Sequence, residues 1–538
     1  MPSKVITEIY KSKNANDFYN SLDDSNFYTV ASGIDNPNGD SINSLRDRTE
    51  FLRRVIFGSK VTTSDARFLF RKINWTEGKI FDQYDDIDDL TDKDFYVSEI
   101  DGVLNDGDYK VFKCISNNNG SRSTVNPTDI PTSDYDDGYF KTQDGYVWKY
   151  MFSVTSSEYT KYQTEALLPF NPVKNPQGTD GIYNVVIENN NQSAISLFEN
   201  FNLGECKIVS VSQDADGKYS SRVQVPLDKK FNNESNSYKD MYIEIEGSVY
   251  EIVESFIVPN TSETVTIIKT YENPDIDGVT SCFIKPKIEV SQSNGGGSRC
   301  LLSGILDQFG TLTGVTFNSY GSDYTAAEAK LILPKALRSF EGAVSIRPII
   351  SPPEGHNSDP AIELKMSSVG VVTSFFTDLT SVIPGVNTYT KVGLLRNPEF
   401  NPLIEGYPQT FDARNKVTVL GGDVTSLIDI GYYLVQDSTV GRDETVYAKI
   451  HDFTYDEEND LTEIYLIDYD NPASGRLRSG ETIIKEQLNS NAGATTTINS
   501  IDDGDYITRT GELYHFVSFD PITRTNDNIE KVKFIFDF

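Results

Sequence analysis

Tyr146, Trp148, Tyr150 and Phe152 fall on alternate positions of QDGYVWKYMFSV, directly after Asp144 and Gly145. Successive strand side chains point to opposite faces, so this spacing predicts a strand with four rings along one side. The other side carries Val147 and Met151 around Lys149, so both faces read as covered. The same period of two runs through VITEIYKS at 5–12, FYTVAS near 27 and YKVFKCIS at 109–116. From about residue 181 alternation dominates. YNVVIE, CKIVSVSQ, MYIEIEG and VTIIKTY are separated by Gly, Asn and Asp clusters, as sandwiches and barrels require.

One segment follows a helical period instead. In SINSLRDRTEFLRRVIF at 41–57, Leu45, Leu52, Val55 and Ile56 share a face. A serine or aspartate ahead of it can cap, and Gly58 stands where the helix would end. The glycine-rich stretch 294–334 reads as short strands joined at Gly310, Gly314 and Gly321. NKVTVLGG, YYLVQDS, TVYAKIHDF and LTEIYLIDYD, within 402–508, have the spacing of a small barrel or sandwich. In the closing KVKFIFDF, Val532, Phe534, Phe536 and Phe538 alternate with Lys531, Lys533 and Asp537, which predicts a last strand built into a sheet. The expected class is mainly β: a layered antiparallel sandwich core with a few helices and inserted small β domains.

Composition sharpens this picture. A chain of 538 residues suggests about three or four domains. Tyr and Phe, 30 each against 4 Met and 2 Trp, favour strands. Basic residues number 48 and acidic residues 80, for a net charge of −32. A phosphate backbone is recognised by the opposite sign, and an anionic membrane surface would repel this chain, so neither is an expected partner. The acidity reads as a solubility device. MPSKVITEIYKSKNAND lacks the apolar stretch of a secretory signal, and no run of about 18 apolar residues occurs. Cys114, Cys206, Cys282 and Cys300 are too sparse for a disulfide framework and form no C-x-x-C pair for zinc. A soluble protein made in a reducing cytoplasm is expected.

Candidate chemistry changes little. Of His356, His451 and His515, only His356, in SPPEGHNSDP, has the look of an active-site loop, and it reads as a loop histidine bonded to backbone. Asp214 and Asp216 open a calcium-loop spacing, but Tyr219 occupies the glycine position. Asp468 and Asp470 open another, with Ser479 in the glutamate position. Both read as hairpin turns. The acidic run Asp82–Asp94 could assemble a site only through tertiary structure. G-x-S-x-G, H-E-x-x-H, Walker and dinucleotide motifs are absent from the sequence. No catalytic residue, metal or cofactor is therefore expected. The aromatic ladder reads as core or subunit contact, since rings give large contact area at low entropy cost.

Four segments in order carry a family resemblance. DFYNSLDDSNFYTVAS comes first, followed by the helix and KINW with its acidic stretch. YKVFKCISNNNG then leads into DGYVWKYMFSV. NTYTKVGLLRNP precedes TGELYHFVSFDPITRTNDNIEKVKFIFDF near the end. Together they resemble the dimeric β-sandwich wedge subunit of the baseplate in T-even-type contractile-tail bacteriophages. Asp144, Gly145, Tyr146, Val147, Trp148 and Tyr150 match its D-G-Y-V-W-aromatic strand; Phe534, Phe536 and Phe538 match its closing strand.

The resemblance implies a division of the chain. Residues 1–180 would be the N-terminal part of the core, with its helix. Residues 346–401 would be a return segment and 509–538 the C-terminal strands of that core. Residues 181–345 and 402–508 would be insertions. It also implies a virion structural protein of the tail baseplate, assembled in the host bacterial cytoplasm. Its partners would be other wedge proteins and a second copy of itself, and it would have no catalytic residues. Tyr146, Trp148, Tyr150, Phe152, Val532, Phe534, Phe536 and Phe538 are then core or interface candidates. A tail-associated glycan-binding adhesin is the alternative reading.

Overall fold

The computed structural model describes residues 8–33, 45–100, 107–172, 180–188, 205–224, 235–257, 265–276, 278–292, 297–306, 312–333, 344–376, 389–420, 422–436, 445–470, 477–487, 492–519 and 529–538. The fold is mainly β, with antiparallel sheets and a few helices. The chain divides into two compact units. Met1–Arg71, Ser157–Pro172 and Lys365–Phe538 form the first; Lys72–Ser156 and Val173–Leu364 form the second. The expected core segment 1–180 is thus shared between both units, and the start of the expected return segment 346–401 belongs to the second.

The first unit holds two sheets and a barrel. One sheet orders its strands Thr410–Asp412, Val55–Val61, Phe27–Gly33, Tyr389–Arg396, Glu512–Ser518. The other orders Ile529–Asp537, Ser368–Phe376, Ala66–Arg71, Leu167–Phe170. They meet through Phe57 on Phe375, edge to face at 4.9 Å, and through the buried hydroxyl pair Thr373–Thr29 at 2.9 Å. In the closing strand Phe534 is buried, while Val532, Phe536 and Phe538 are half-buried. Phe536 and Phe538 sit 5.0 and 5.4 Å from Phe18.

Within 402–508, six strands close into a barrel in the order Asn415–Leu420, Leu461–Asp470, Val446–Asp456, Tyr433–Gln436, Gly480–Lys485, Ala494–Asp502. Val417, Val419, Leu434, Ala448, Ile450 and Ile464 are part of its apolar core.

Four sequence expectations are corrected by the structure. Residues 8–12 of VITEIYKS open a helix, Glu8–Asp24, instead of a strand, and residues 1–7 lie outside the described residues. Ala15, Phe18 and Leu22 bury one face of that helix at helical spacing. The helix expected over 41–57 is shorter, Leu45–Arg53. Val55 and Ile56 belong to the following strand, where branched side chains are favoured. Gly58 is therefore no helix stop. It stands in that strand opposite Val30, and a Cβ there would meet the Phe411 ring at 2.4 Å. In the second unit, Gly314 and Gly321 lie within one strand, Leu312–Ser322, rather than at joints, and Gly310 is outside the described residues.

The second unit holds three sheets. A four-stranded sheet orders Tyr96–Ile100, Tyr109–Ser116, Val147–Val154, Tyr139–Lys141. A six-stranded sheet orders Leu312–Ser322, Ser298–Leu306, Lys287–Ser291, Glu328–Ile332, Ser345–Ile350, Ile182–Glu188. A seven-stranded sheet orders Ser248–Glu251, Tyr242–Ile245, Thr280–Lys285, Glu205–Gln213, Tyr219–Gln224, Val265–Thr270, Glu254–Ile257.

Candidate functional site

The hairpin that carries the DGYVW motif is built by one carboxylate. Asp144 Oδ2 accepts from Thr124 N at 2.7 Å, Val125 N at 3.1 Å and Ser123 Oγ at 3.1 Å. Its Oδ1 accepts from Thr142 Oγ1 and, at 3.3 Å, from Tyr146 N. Partial burial disfavours the charge, yet the hydrogen bonds from Thr142 and the backbone amides win and hold the carboxyl below its usual range. Gly145 follows at φ +87°, a left-handed conformation that glycine adopts without strain.

Tyr146 continues the staple. Its hydroxyl donates to Ser121 O at 2.5 Å and accepts from Phe81 N at 3.3 Å. Its ring stacks on Trp148 at 5.5 Å, and Phe81 meets Trp148 edge on at 5.8 Å. Tyr146 and Trp148 are fully buried, and Trp148 Nε1 finds no acceptor among the described residues. The ring body therefore outweighs its polar handle at this position.

The ladder is not continuous. Phe112 pairs with Tyr150 and Val111 with Phe152, so Met151 is an extra residue that bulges the strand. Tyr150 stays in phase with Trp148 and joins a cluster with Phe112, at 5.8 Å, and Tyr135, at 6.0 Å, whereas Phe152 is carried opposite Val111. Tyr150 and Phe152 are both half-buried. A strict period of two misses this shift.

The reverse face of the same sheet holds a polar cluster that the sequence reading passed over. Tyr96, Lys113, Lys149 and Tyr139 form one cross-strand row. All four are buried. Lys113 Nζ donates to Glu363 Oε2 and lies 4.6 Å over the Tyr84 ring. Glu363 is placed by a one-turn helix, Pro360–Glu363, which Asp359 caps by accepting from Ile362 N at 3.1 Å. His356 Nδ1 lies 3.8 Å from Glu363 Oε2, and the imidazole is ringed by Tyr84, Tyr139 and Tyr183. Lys149 Nζ donates to Asp137 O and lies 4.3 Å over Tyr139.

Burial would raise the Glu363 carboxyl, but the Lys113 ammonium and His356 hold it at about 2. His356 is driven down to about 4, first by burial and then by Lys113. Burial, reinforced by Lys113, lowers Lys149 to about 8. At neutral pH Glu363 is an anion and His356 is neutral. A general acid or base works best with a pKa near the operating pH; Glu363 and His356 lie well below it, and Lys149, which lies near it, is engaged by the Asp137 carbonyl. His356, singled out as a loop histidine bonded to backbone, instead faces a buried carboxylate with its Nδ1. The sequence signal for this cluster was lysine inside two otherwise apolar strands, Lys110 and Lys113 in one and Lys149 in the other.

The remaining candidates are turns and ion pairs. Asp214 accepts from Asp216 N and Lys218 N, both at 3.0 Å, and pairs with Lys269 at 2.9 Å. Asp468 and Asp470, expected in a hairpin turn, lie instead in the strand Leu461–Asp470. In the acidic run, Asp94 pairs with Lys79 and Asp88 with Lys93, each at 2.6 Å, while Asp85 pairs with Arg347. Among the described residues, no three His, Cys, Asp or Glu side chains gather to hold a metal. His451 is buried and His515 exposed. No helix of the described residues is long and apolar enough to cross a membrane. No protein-family model matches the chain, and no curated protein matches it either.

Proposed function

We propose that this chain is a structural subunit of a contractile-tail phage baseplate wedge, an assembly component rather than an enzyme. Its partners would be neighbouring wedge proteins and a second copy of itself, within the virion. One observation carries the reading: Asp144, Tyr146, Trp148 and Phe534, four of the residues that bear the family resemblance, are committed to architecture. Asp144 joins the turn to the 123–125 segment, Tyr146 and Trp148 are sealed in the core, and Phe534 is buried in the closing strand. Residues held in this way define a scaffold and offer no free face to a substrate. The net charge of −32 further disfavours nucleic acid as a partner.

Gold labelling of intact phage particles with an antibody to residues 402–508 tests this assignment. Label at the broad end of the tail is the expected result. Label on distal fibres would favour the glycan-binding adhesin instead. No label on intact particles or on disrupted tails, with the protein present in infected cells, would overturn it.

A further inference from the structure

We propose that Cys206 and Cys282 are a site of reversible thiol oxidation, closing to a cross-strand disulfide when the chain meets hydrogen peroxide. The two residues stand directly opposite each other in the antiparallel pair of Glu205–Gln213 and Thr280–Lys285. Opposed residues of such a pair have Cα atoms about 4.5–5.5 Å apart, within the roughly 4.4–6.8 Å that a disulfide spans. They also point to the same face, here the core formed with Ile208, Val223, Ile243 and Ile245. Cys114 and Cys300 face Trp148 and Tyr320 in their own registers, so the topology brings only one thiol pair together.

Either thiol can attack first, since the thiolate is the nucleophile and the register sets the two directly opposite each other. When Cys206 leads, its sulfur attacks one peroxide oxygen, the O–O bond breaks, and the departing hydroxide leaves as water with the Cys206 proton. The Cys282 sulfur then attacks the resulting sulfenic sulfur, the S–O bond breaks, and a second water leaves with the Cys282 proton. Each sulfur gives up one electron and the peroxide takes both. Both thiols are fully buried, so the rate follows local opening of the sheet.

The test treats the full chain with hydrogen peroxide, traps thiols with N-ethylmaleimide in denaturant and maps peptides without reductant. The expected product joins the Cys206 and Cys282 peptides, lighter by two hydrogens and released by dithiothreitol. It is absent from Cys206→Ser, in which Cys282 takes the maleimide. Recovery of both residues as maleimide adducts would overturn the proposal. So would Cys206 as a sulfonic acid beside an alkylated Cys282.

Discussion

Lys113 stands directly opposite Lys149 in adjacent strands, both side chains buried on one face of the sheet. Like charges in that relation destabilise a sheet. The structure resolves the conflict unevenly. Lys113 pairs with Glu363, while Lys149 turns to the Asp137 carbonyl and is lowered to about 8, first by burial.

Breaking this arrangement from one side is costly. Glu363→Gln leaves the Lys113 ammonium buried without its counter-charge and is expected to lose about 3–5 kcal/mol in urea unfolding. The double variant Lys113→Met with Glu363→Leu replaces the pair with apolar volume and should recover most of that loss. A double variant as unstable as Glu363→Gln would show that the pair is needed for more than charge balance.

The histidine makes the fold sensitive to mild acid. His356 titrates at about 4 in the native chain against about 6.5 when unfolded. Between those values the unfolded state takes up a proton that the native state refuses, so stability falls as the pH drops through that window. The loss is about 3 kcal/mol, fully expressed below pH 4 and absent above 6.5. Unfolding free energies measured from pH 4 to 6.5 should vary less in His356→Asn by about that amount.

Two glycines separate conformation from crowding. Gly145 and Gly217 have φ of +87° and +80°, but a Cβ at Gly145 would meet Asn118 Nδ2 at 2.6 Å, while one at Gly217 meets nothing within 4 Å. Gly217→Ala is expected to cost about 1–2 kcal/mol, the left-handed penalty alone. Gly145→Ala should cost clearly more, because Asn118 must also give up its bond to Asp144 O. Thermal unfolding of the two variants side by side checks the order.

Alternation made strands such as Tyr109–Ser116 and Val147–Val154 legible, because each buries residues against its neighbours in the sheet. It also misled over 5–12, where residues 8–12 already belong to the helix Glu8–Asp24, whose buried face runs through Ser12, Ala15, Phe18 and Leu22. Val55 and Ile56 suited a helical face by spacing and a strand by branching, and the sheet prevailed. The Met151 bulge arises from pairing with another strand, so no local pattern shows it. The charge cluster was hidden for a similar reason: Glu363 meets Lys113 across 250 positions of sequence.

If the DGYVW hairpin is architecture rather than a binding platform, Trp148→Ala must lower the melting temperature of the protein. Removing a fully buried indole costs about 3–5 kcal/mol, so the midpoint should fall by roughly 6–12 °C. An unchanged melting temperature would return the ladder to the status of a ligand-binding surface.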